Sequence, residues 1–239
     1  PTYGRPSVCR AAVVCAAVCV CLGTGRVHGG VPGTVGGQYL RLEPSARIIG
    51  LGGAFAAVGG DPWSIAVNPA GISSCVRPAV AATQMNMLAG VRFVTLAYAH
   101  PAGAAGVFGA GAMYLYSDED AYAVTGDTAG EFRNAGTSFA LACARPLVFD
   151  CDAGVALKGA YVVLGSGYRA DALVIDVGIR YRPLESFSAA CAMSNLPLGS
   201  GFTGNRETVP TILRLGAALT PPGGALTVTA DAYASVDGA

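Results

Sequence analysis

The sequence predicts an all-β protein, a transmembrane antiparallel β-barrel that is incomplete at about nine strands. Three observations point there. Of 239 residues, 52% are hydrophobic and only 13% charged, about half the usual charged share. A water-soluble globule this poor in charge has trouble covering its surface. From residue 79 onward the chain divides into strand-like segments, most of ten to thirteen residues. Ordinary globular strands average about 5–6 residues, whereas a bilayer-crossing strand needs about 9–11. Finally, the links between segments are short and long by turns, as in outer-membrane barrels with short periplasmic turns and longer external loops.

Residues 1–29 read as a secretory signal peptide. Arg5 and Arg10 precede an apolar run from Ala11 to Leu22, followed by Gly23, Thr24 and Gly25. The run is too short for a membrane-spanning helix, which needs about 20 apolar residues. A lipoprotein signal is the rival, given Cys15, Cys19 and Cys21, but none has a small residue before it in a Leu-x-x-Cys setting. Cleavage removes three of 15 basic residues, so 12 face 15 acidic ones. Four cysteines remain (Cys75, Cys143, Cys151 and Cys191). Without CxxC spacing they read as small apolar residues, and a disulfide stays open.

Strands are expected near 79–88, 91–100, 106–116, 135–147, 152–164, 170–182, 186–195, 211–220 and 225–235. Several alternate with period two. Leu173, Ile175, Val177, Ile179 and Tyr181 share one face, opposite Asp176, Gly178, Arg180 and Arg182. Val155, Leu157, Tyr161 and Val163 oppose a face carrying Lys158, the chain's single lysine. Leu213, Leu215, Ala217 and Leu219 oppose Arg214 and Gly216, and Leu226, Val228, Ala230 and Ala232 oppose Thr227, Thr229 and Asp231. Segments 91–100 and 135–147 alternate poorly. A half-exposed sheet of a soluble sandwich alternates in the same way. The loop lengths favour the barrel, with links near 117–134 and 196–210 long and those near 101–105, 148–151, 183–185 and 221–224 short. Tyr98, Tyr114, Tyr116, Tyr168, Tyr181 and Tyr233 lie near strand ends, where interfacial girdles sit. Asp118, Glu119, Asp120, Asp127 and Glu131 read as a solvated acidic loop, since their spacing does not match a calcium loop.

Several classes are excluded. There is no basic stripe for nucleic acid. The chain has only His28 and His100, no Gly-x-Ser-x-Gly elbow and no metal-ligand spacing, so no enzymatic chemistry and no cofactor are expected. Gly50-Leu51-Gly52-Gly53 fails as a dinucleotide fingerprint because Phe55 stands where the third glycine belongs.

The most distinctive stretch is 41–74. Ser45-Ala46-Arg47, Gly50-Leu51-Gly52-Gly53-Ala54-Phe55, Ala57-Val58, Asp61-Pro62 and Asn68-Pro69-Ala70-Gly71 resemble the N-terminal region of FadL-like outer-membrane proteins. That superfamily includes long-chain fatty acid transporters, hydrocarbon channels and PorV-type secretion proteins. The nearest likeness is to the treponemal FadL-like and PorV-like group. Ser194-Asn195-Leu196, Pro210-Thr211 and Arg214-Leu215-Gly216 carry the resemblance downstream.

The resemblance implies a fourteen-stranded barrel with an N-terminal hatch inside it. It assigns 30–75 to the hatch, including Gly52, Gly53, Asp61, Trp63, Asn68 and Pro69, and 76–239 to barrel strands. Nine strands fall short of fourteen, so it also implies a chain truncated at its C-terminus. Trp63 would anchor the hatch to the wall or touch an apolar ligand. The implied function is passive uptake of hydrophobic molecules such as long-chain fatty acids across the outer membrane. Its partners would be those molecules and outer-membrane lipid. Lys158, Arg180, Arg182 and Arg214 would meet a carboxylate headgroup or balance Asp176 and Asp231 inside the lumen. The alternative is a PorV-like barrel that docks envelope proteins, or a surface antigen, without transport.

Overall fold

A computed structural model of the chain describes residues 36–122, 128–165, 167–199, 202 and 208–235. The expected signal peptide and Asp127 lie outside the described residues.

The fold is all-β, a single nine-stranded antiparallel sheet in chain order. The strands are β1 (Ala79–Asn86), β2 (Arg92–Pro101), β3 (Val107–Tyr122), β4 (Thr128–Pro146), β5 (Cys151–Leu164), β6 (Tyr168–Leu184), β7 (Phe187–Pro197), β8 (Ile212–Leu219) and β9 (Val228–Ser235). The sheet is not closed. Among the described residues β1 and β9 each pair on one side only.

The N-terminal segment lies on one face. It contains short helical turns at Gln38–Arg41, Ala46–Gly50, Ser64–Val67 and Pro69–Ser74. Ser45 caps the second by accepting the Ile48 N–H. The segment bonds to strands across most of the sheet. Thr95 of β2 donates to the Pro44 carbonyl at 2.5 Å. Tyr39 donates to the Thr137 carbonyl of β4 at 2.5 Å. Ser188 of β7 donates to the Ala57 carbonyl at 2.8 Å, and Asp231 of β9 accepts the N–H groups of Phe55 and Ala56, both at 2.9 Å. One small segment reaches β2 and β9 together only if the sheet curls around it, so this is the inner, concave face.

Packing between the two is a match of large to small. The segment supplies Tyr39, Ile48, Phe55, Trp63, Ile65 and Ile72, and the strands supply Ala97, Ala99, Ala142, Ala156, Ala160 and Ala218. Gly109, Gly111, Ala110 and Ala112 illustrate the arrangement. The two alanines face outward, and a Cβ on Gly109 would meet Ile65 Cδ1 at 2.7 Å. Small residues here do not open a lumen; apolar side chains of the segment fill the space they leave.

The face sharing predicted from period two holds in β5, β6 and β8, and in β9 from Val228 onward, whereas Leu226 and Thr227 precede that strand. Two strands expected to alternate poorly alternate cleanly in burial. β2 buries Phe93, Thr95, Ala97 and Ala99 and exposes Val94, Leu96, Tyr98 and His100. In β4, Phe139 and Leu141 point out while Ala142 and Ala144 point in. Their contrast is between small and large residues, which a polar/apolar pattern does not register.

Two expectations are corrected. The link at 117–134 is mostly strand, because β3 and β4 run on as a hairpin with Asp118 opposite Arg133, Glu119 opposite Phe132 and Asp120 opposite Glu131. The Asp118–Arg133 ion pair at 2.6 Å helps hold that extension. Asp118, Glu119, Asp120 and Glu131 are therefore strand residues and not a loop. Loop lengths consequently sort by side less cleanly than expected, and the β8–β9 link, expected short at 221–224, runs over 220–227. Of the six tyrosines, Tyr98, Tyr114, Tyr116 and Tyr181 fall on the outer face, whereas Tyr168 and Tyr233 share the inner face with Ala170 and Arg214.

Candidate functional site

The inner face carries the buried polar chemistry, arranged along the contact between sheet and segment. At the end holding the β4–β5 and β6–β7 turns, Asp152 is fully buried and collects two arginines. Arg180 donates from Nη2 at 2.8 Å and from Nε at 3.2 Å, and Arg182 from Nε at 2.9 Å and Nη2 at 3.1 Å. Arg180 also bonds Ser74, which ties the segment to the wall. Its guanidinium lies where a Cβ on Gly59 would be.

Midway along the strands, Lys158 Nζ pairs with Asp176 Oδ2 at 2.6 Å and donates to Asn195 Oδ1 at 3.0 Å. The Asn195 N–H donates to Asp176 Oδ1 at 2.7 Å. A bulge makes this trio. The β6–β7 register slips between Ile175 and Val177, and Asn195 sits at φ 59°. Asn tolerates that left-handed conformation better than most residues. The bulge turns Asn195 inward beside Ser194, where a regular strand would send one of them out.

Toward β8 and β9, Arg214 donates to Glu43 Oε1 at 2.8 Å and to the Gly53 carbonyl at 3.3 Å, with its guanidinium 5.3 Å from the Tyr233 ring centre. Within the segment, Asp61 pairs with Arg47 and accepts the Trp63 N–H at 2.9 Å. Trp63 is buried among Ile48, Phe55, Val67, Ala97 and Ala218. Asn68 has no exposed surface. Its Nδ2 donates to the Ala56 carbonyl at 2.8 Å, and its Oδ1 accepts the Ala70 N–H at 3.1 Å, capping the turn that Pro69 opens.

The glycines that permit close approach are on the strands. Gly154 and Gly178 are cross-strand partners, and the Asn68–Ala70 backbone rests on them. A Cβ on Gly154 would overlap the Pro69–Ala70 peptide, and one on Gly178 would overlap Asn68 Oδ1. By contrast Gly52 has nothing within 4 Å of a built Cβ. Gly52 and Gly53 sit at φ 64° and 81°, which suits the left-handed turn ending the Ala46–Gly50 helix.

All four candidate ligand cations are thus paired with carboxylates of this chain: Lys158 with Asp176, Arg180 and Arg182 with Asp152, and Arg214 with Glu43. Only Arg182, 43% exposed, reaches open space. The sequence reading missed Asp152, Asn195, Ser74 and Glu43. Asp152 was visible as the residue opening a strand whose inner face carries Lys158, six residues on. Ser74 and Glu43 carried no signal, because their partners lie over a hundred residues away.

Two spaces adjoin this contact. A cavity of about 20 Å³ lies beside Trp63, Ile65, Leu96, Met113 and Lys158. A groove of about 400 Å³ opens at the end holding the β3–β4 and β5–β6 turns. Tyr39, Leu115, Val162 and Leu164 give it apolar walls, and Ser117 and Asn134 give it polar groups. Burial pushes the Tyr39 phenol well above its usual value, so it stays a donor at the groove wall.

Burial likewise pushes the Cys75 thiol up, and the nearby Asp61 charge adds to this against the opposing effect of Arg180. A thiol with a raised pKa is protonated at neutral pH, and the thiolate is the reactive form. Cys75 is expected to resist alkylation at pH 7, and its reaction to set in at a higher pH than that of an ordinary thiol. Peptide mapping after a timed alkylation checks this, and rapid labelling at pH 7 would show that the segment leaves the sheet.

No protein-family model matches the chain, and no curated protein matches it.

Proposed function

We propose that the chain is a FadL-like outer-membrane protein whose strands cross the bilayer as part of a β-barrel, with residues 36–75 as its hatch, and that it admits hydrophobic molecules such as long-chain fatty acids. One observation carries this reading, namely that the polarity of the sheet is reversed. On the outer face, β4 presents Ala135, Thr137, Phe139, Leu141 and Cys143 between Arg133 and Arg145. β6 presents Leu173, Ile175, Val177, Ile179 and Tyr181 below Asp171. Within that span the charged residues Lys158, Asp176 and Arg214 are buried on the inner face, and Asp152 and Arg180 are buried at its end. Phe139 and Leu141 are 66% and 70% exposed. In water such a face costs solubility, whereas in lipid it is the expected one.

The dimensions agree. Arg133 and Arg145 bracket about 40 Å of strand at about 3.3 Å per residue. At a tilt of about 40° that span covers about 30 Å of bilayer. The groove beside Tyr39 is the candidate ligand site. Its volume of about 400 Å³ falls within the range of about 300–1,000 Å³ common for small-molecule sites, and its mixed lining suits an acyl chain with a polar head.

Two measurements test the reading. Purified protein reconstituted in liposomes is expected to bind and pass a long-chain fatty acid; binding no greater than that of an unrelated barrel ends the transport claim. The substitution Leu141→Arg tests the membrane claim. It is expected to cost about 2 kcal/mol in urea titrations of the vesicle-inserted protein. A water-soluble sheet would accept Arg at this exposed position almost without loss.

A second reading keeps the barrel without transport. The interior cavity of about 20 Å³ is too small for an acyl chain, and the segment is bonded to the wall along its length. A barrel that docks envelope proteins fits that filled interior. Fatty-acid binding without uptake, together with capture of an envelope protein, would favour it.

A further inference from the structure

We propose that the outer face at the groove end of β2–β4 holds an anionic phospholipid headgroup, with Arg92, Tyr116 and Arg133 as its receptor. This rests on the membrane reading above. The three residues come together through register. Arg92 is the partner of Tyr116, and Asp118, two residues on from Tyr116, is the partner of Arg133. Both guanidiniums lie over one ring, Arg133 at 5.3 Å and Arg92 at 5.9 Å from its centre. Tyr114 stacks on Tyr116 at 4.9 Å and stiffens the platform.

Charge defines what such a platform receives. Arg133 is neutralised by Asp118, bonding it from Nε at 2.6 Å and Nη2 at 3.2 Å. Arg92 forms no ion pair among the described residues, and its one hydrogen bond is the 3.4 Å contact to the Tyr116 hydroxyl. Arg92 therefore offers a planar fork with most of its donors free, while Asp120 and Glu131 lie farther along the same face, beyond the Asp118–Arg133 pair. A phosphodiester brings one negative charge and two oxygens in matching geometry.

Position selects the lipid over other phosphates. Arg92 stands at the edge of the charge-free band. Val94 and Leu96 follow it on the same face of β2, and Tyr116 precedes the outward Asp118. A lipid seated there lays its acyl chains along Val94, Leu96 and Phe139 while its phosphate reaches the guanidinium. Tyrosines and arginines at this height match the interfacial belt. A free phosphate gains none of the apolar contact.

Native mass spectrometry of the full chain in detergent, titrated with phosphatidylglycerol or phosphatidylcholine, tests the proposal. Wild type is expected to bind the first phosphatidylglycerol about fivefold more tightly than phosphatidylcholine, the worth of one interfacial arginine. Arg92→Gln is expected to abolish that preference and leave phosphatidylcholine binding unchanged, while Arg92→Lys keeps part of it. Equal binding of both lipids by wild type, or a preference that survives Arg92→Gln, overturns the proposal. Competition by millimolar glycerol phosphate would make this a phosphate site and overturn the lipid assignment. A chain that stays soluble without detergent and enters vesicles of neither composition refutes the membrane reading instead.

Discussion

Replacing Asp152 with Ala is expected to lower the stability of the folded chain by about 3–5 kcal/mol. The carboxylate has no exposed surface, and Arg180, which it pairs, is only 3% exposed. Removing it strands a guanidinium between sheet and segment with Ser74 as its remaining side-chain partner. A buried charge without its counterion costs far more than the pair contributed, because the desolvation remains and the attraction is gone. Arg182 gives the contrast. Its side chain is 43% exposed and turns to water when its partner is lost, so Arg182→Ala is expected to cost about 1 kcal/mol or less.

The double substitution Asp152→Ala with Arg180→Met removes both charges and is expected to recover much of the loss. Trp63 makes the measurement direct. It is the single tryptophan of the chain, buried where the segment meets β2 and β8. Urea titration in detergent micelles followed by its fluorescence reads both segment release and unfolding. If Asp152→Ala and Arg182→Ala lose equal stability, the Arg180 site is wet and the cluster is not the latch its geometry describes.

The contrast between these arginines also shows how far the sequence could be read. Period two placed Asp176, Arg180 and Arg214 on one face and Leu173, Ile175 and Leu215 on the other, because strand geometry leaves no third choice. That local rule carried the number of strands and most of their faces. It failed where both faces are apolar, as in β2 and β4, and there side-chain size decides. It also failed at 117–134, where Asp118 and Arg133 support a strand that acidic composition alone argued against. On the segment side Asp61, Trp63 and Asn68 were singled out by resemblance, and all three are buried, but pattern alone made the site legible only on the strand side. Lys158 was visible as a lone cation on a face, but its partner Asn195 is brought in by a bulge. The contacts of Glu43, Ser74 and Asp231 depend on how the segment lies, and no local pattern encodes that.

Gly154 is where the lie of the segment is decided, and Gly154→Leu is expected to cost about 3 kcal/mol or more. The reason is space and not backbone freedom. Gly154 faces Gly178 across β5 and β6, and together they form a slot floored by main chain. The Pro69–Ala70 peptide occupies it so closely that even a Cβ on Gly154 would overlap its atoms. Those atoms are backbone, so no rotamer change relieves the clash. The turn must lift, and Asn68 then loses its bonds to the Ala56 carbonyl and the Ala70 N–H. Each buried group left unpaired adds a penalty of about 1–3 kcal/mol. Gly159→Leu is the matched control. It lies on the same strand but faces outward, with nothing within 4 Å of a built Cβ, and is expected to change stability by about 0.5 kcal/mol or less. Cys75 closes the Pro69–Ser74 turn, so its alkylation rate at neutral pH should rise in Gly154→Leu and stay low in Gly159→Leu. If the two variants match in stability and in Cys75 protection, the segment has another seat on the sheet, and the glycine pair does not fix its position.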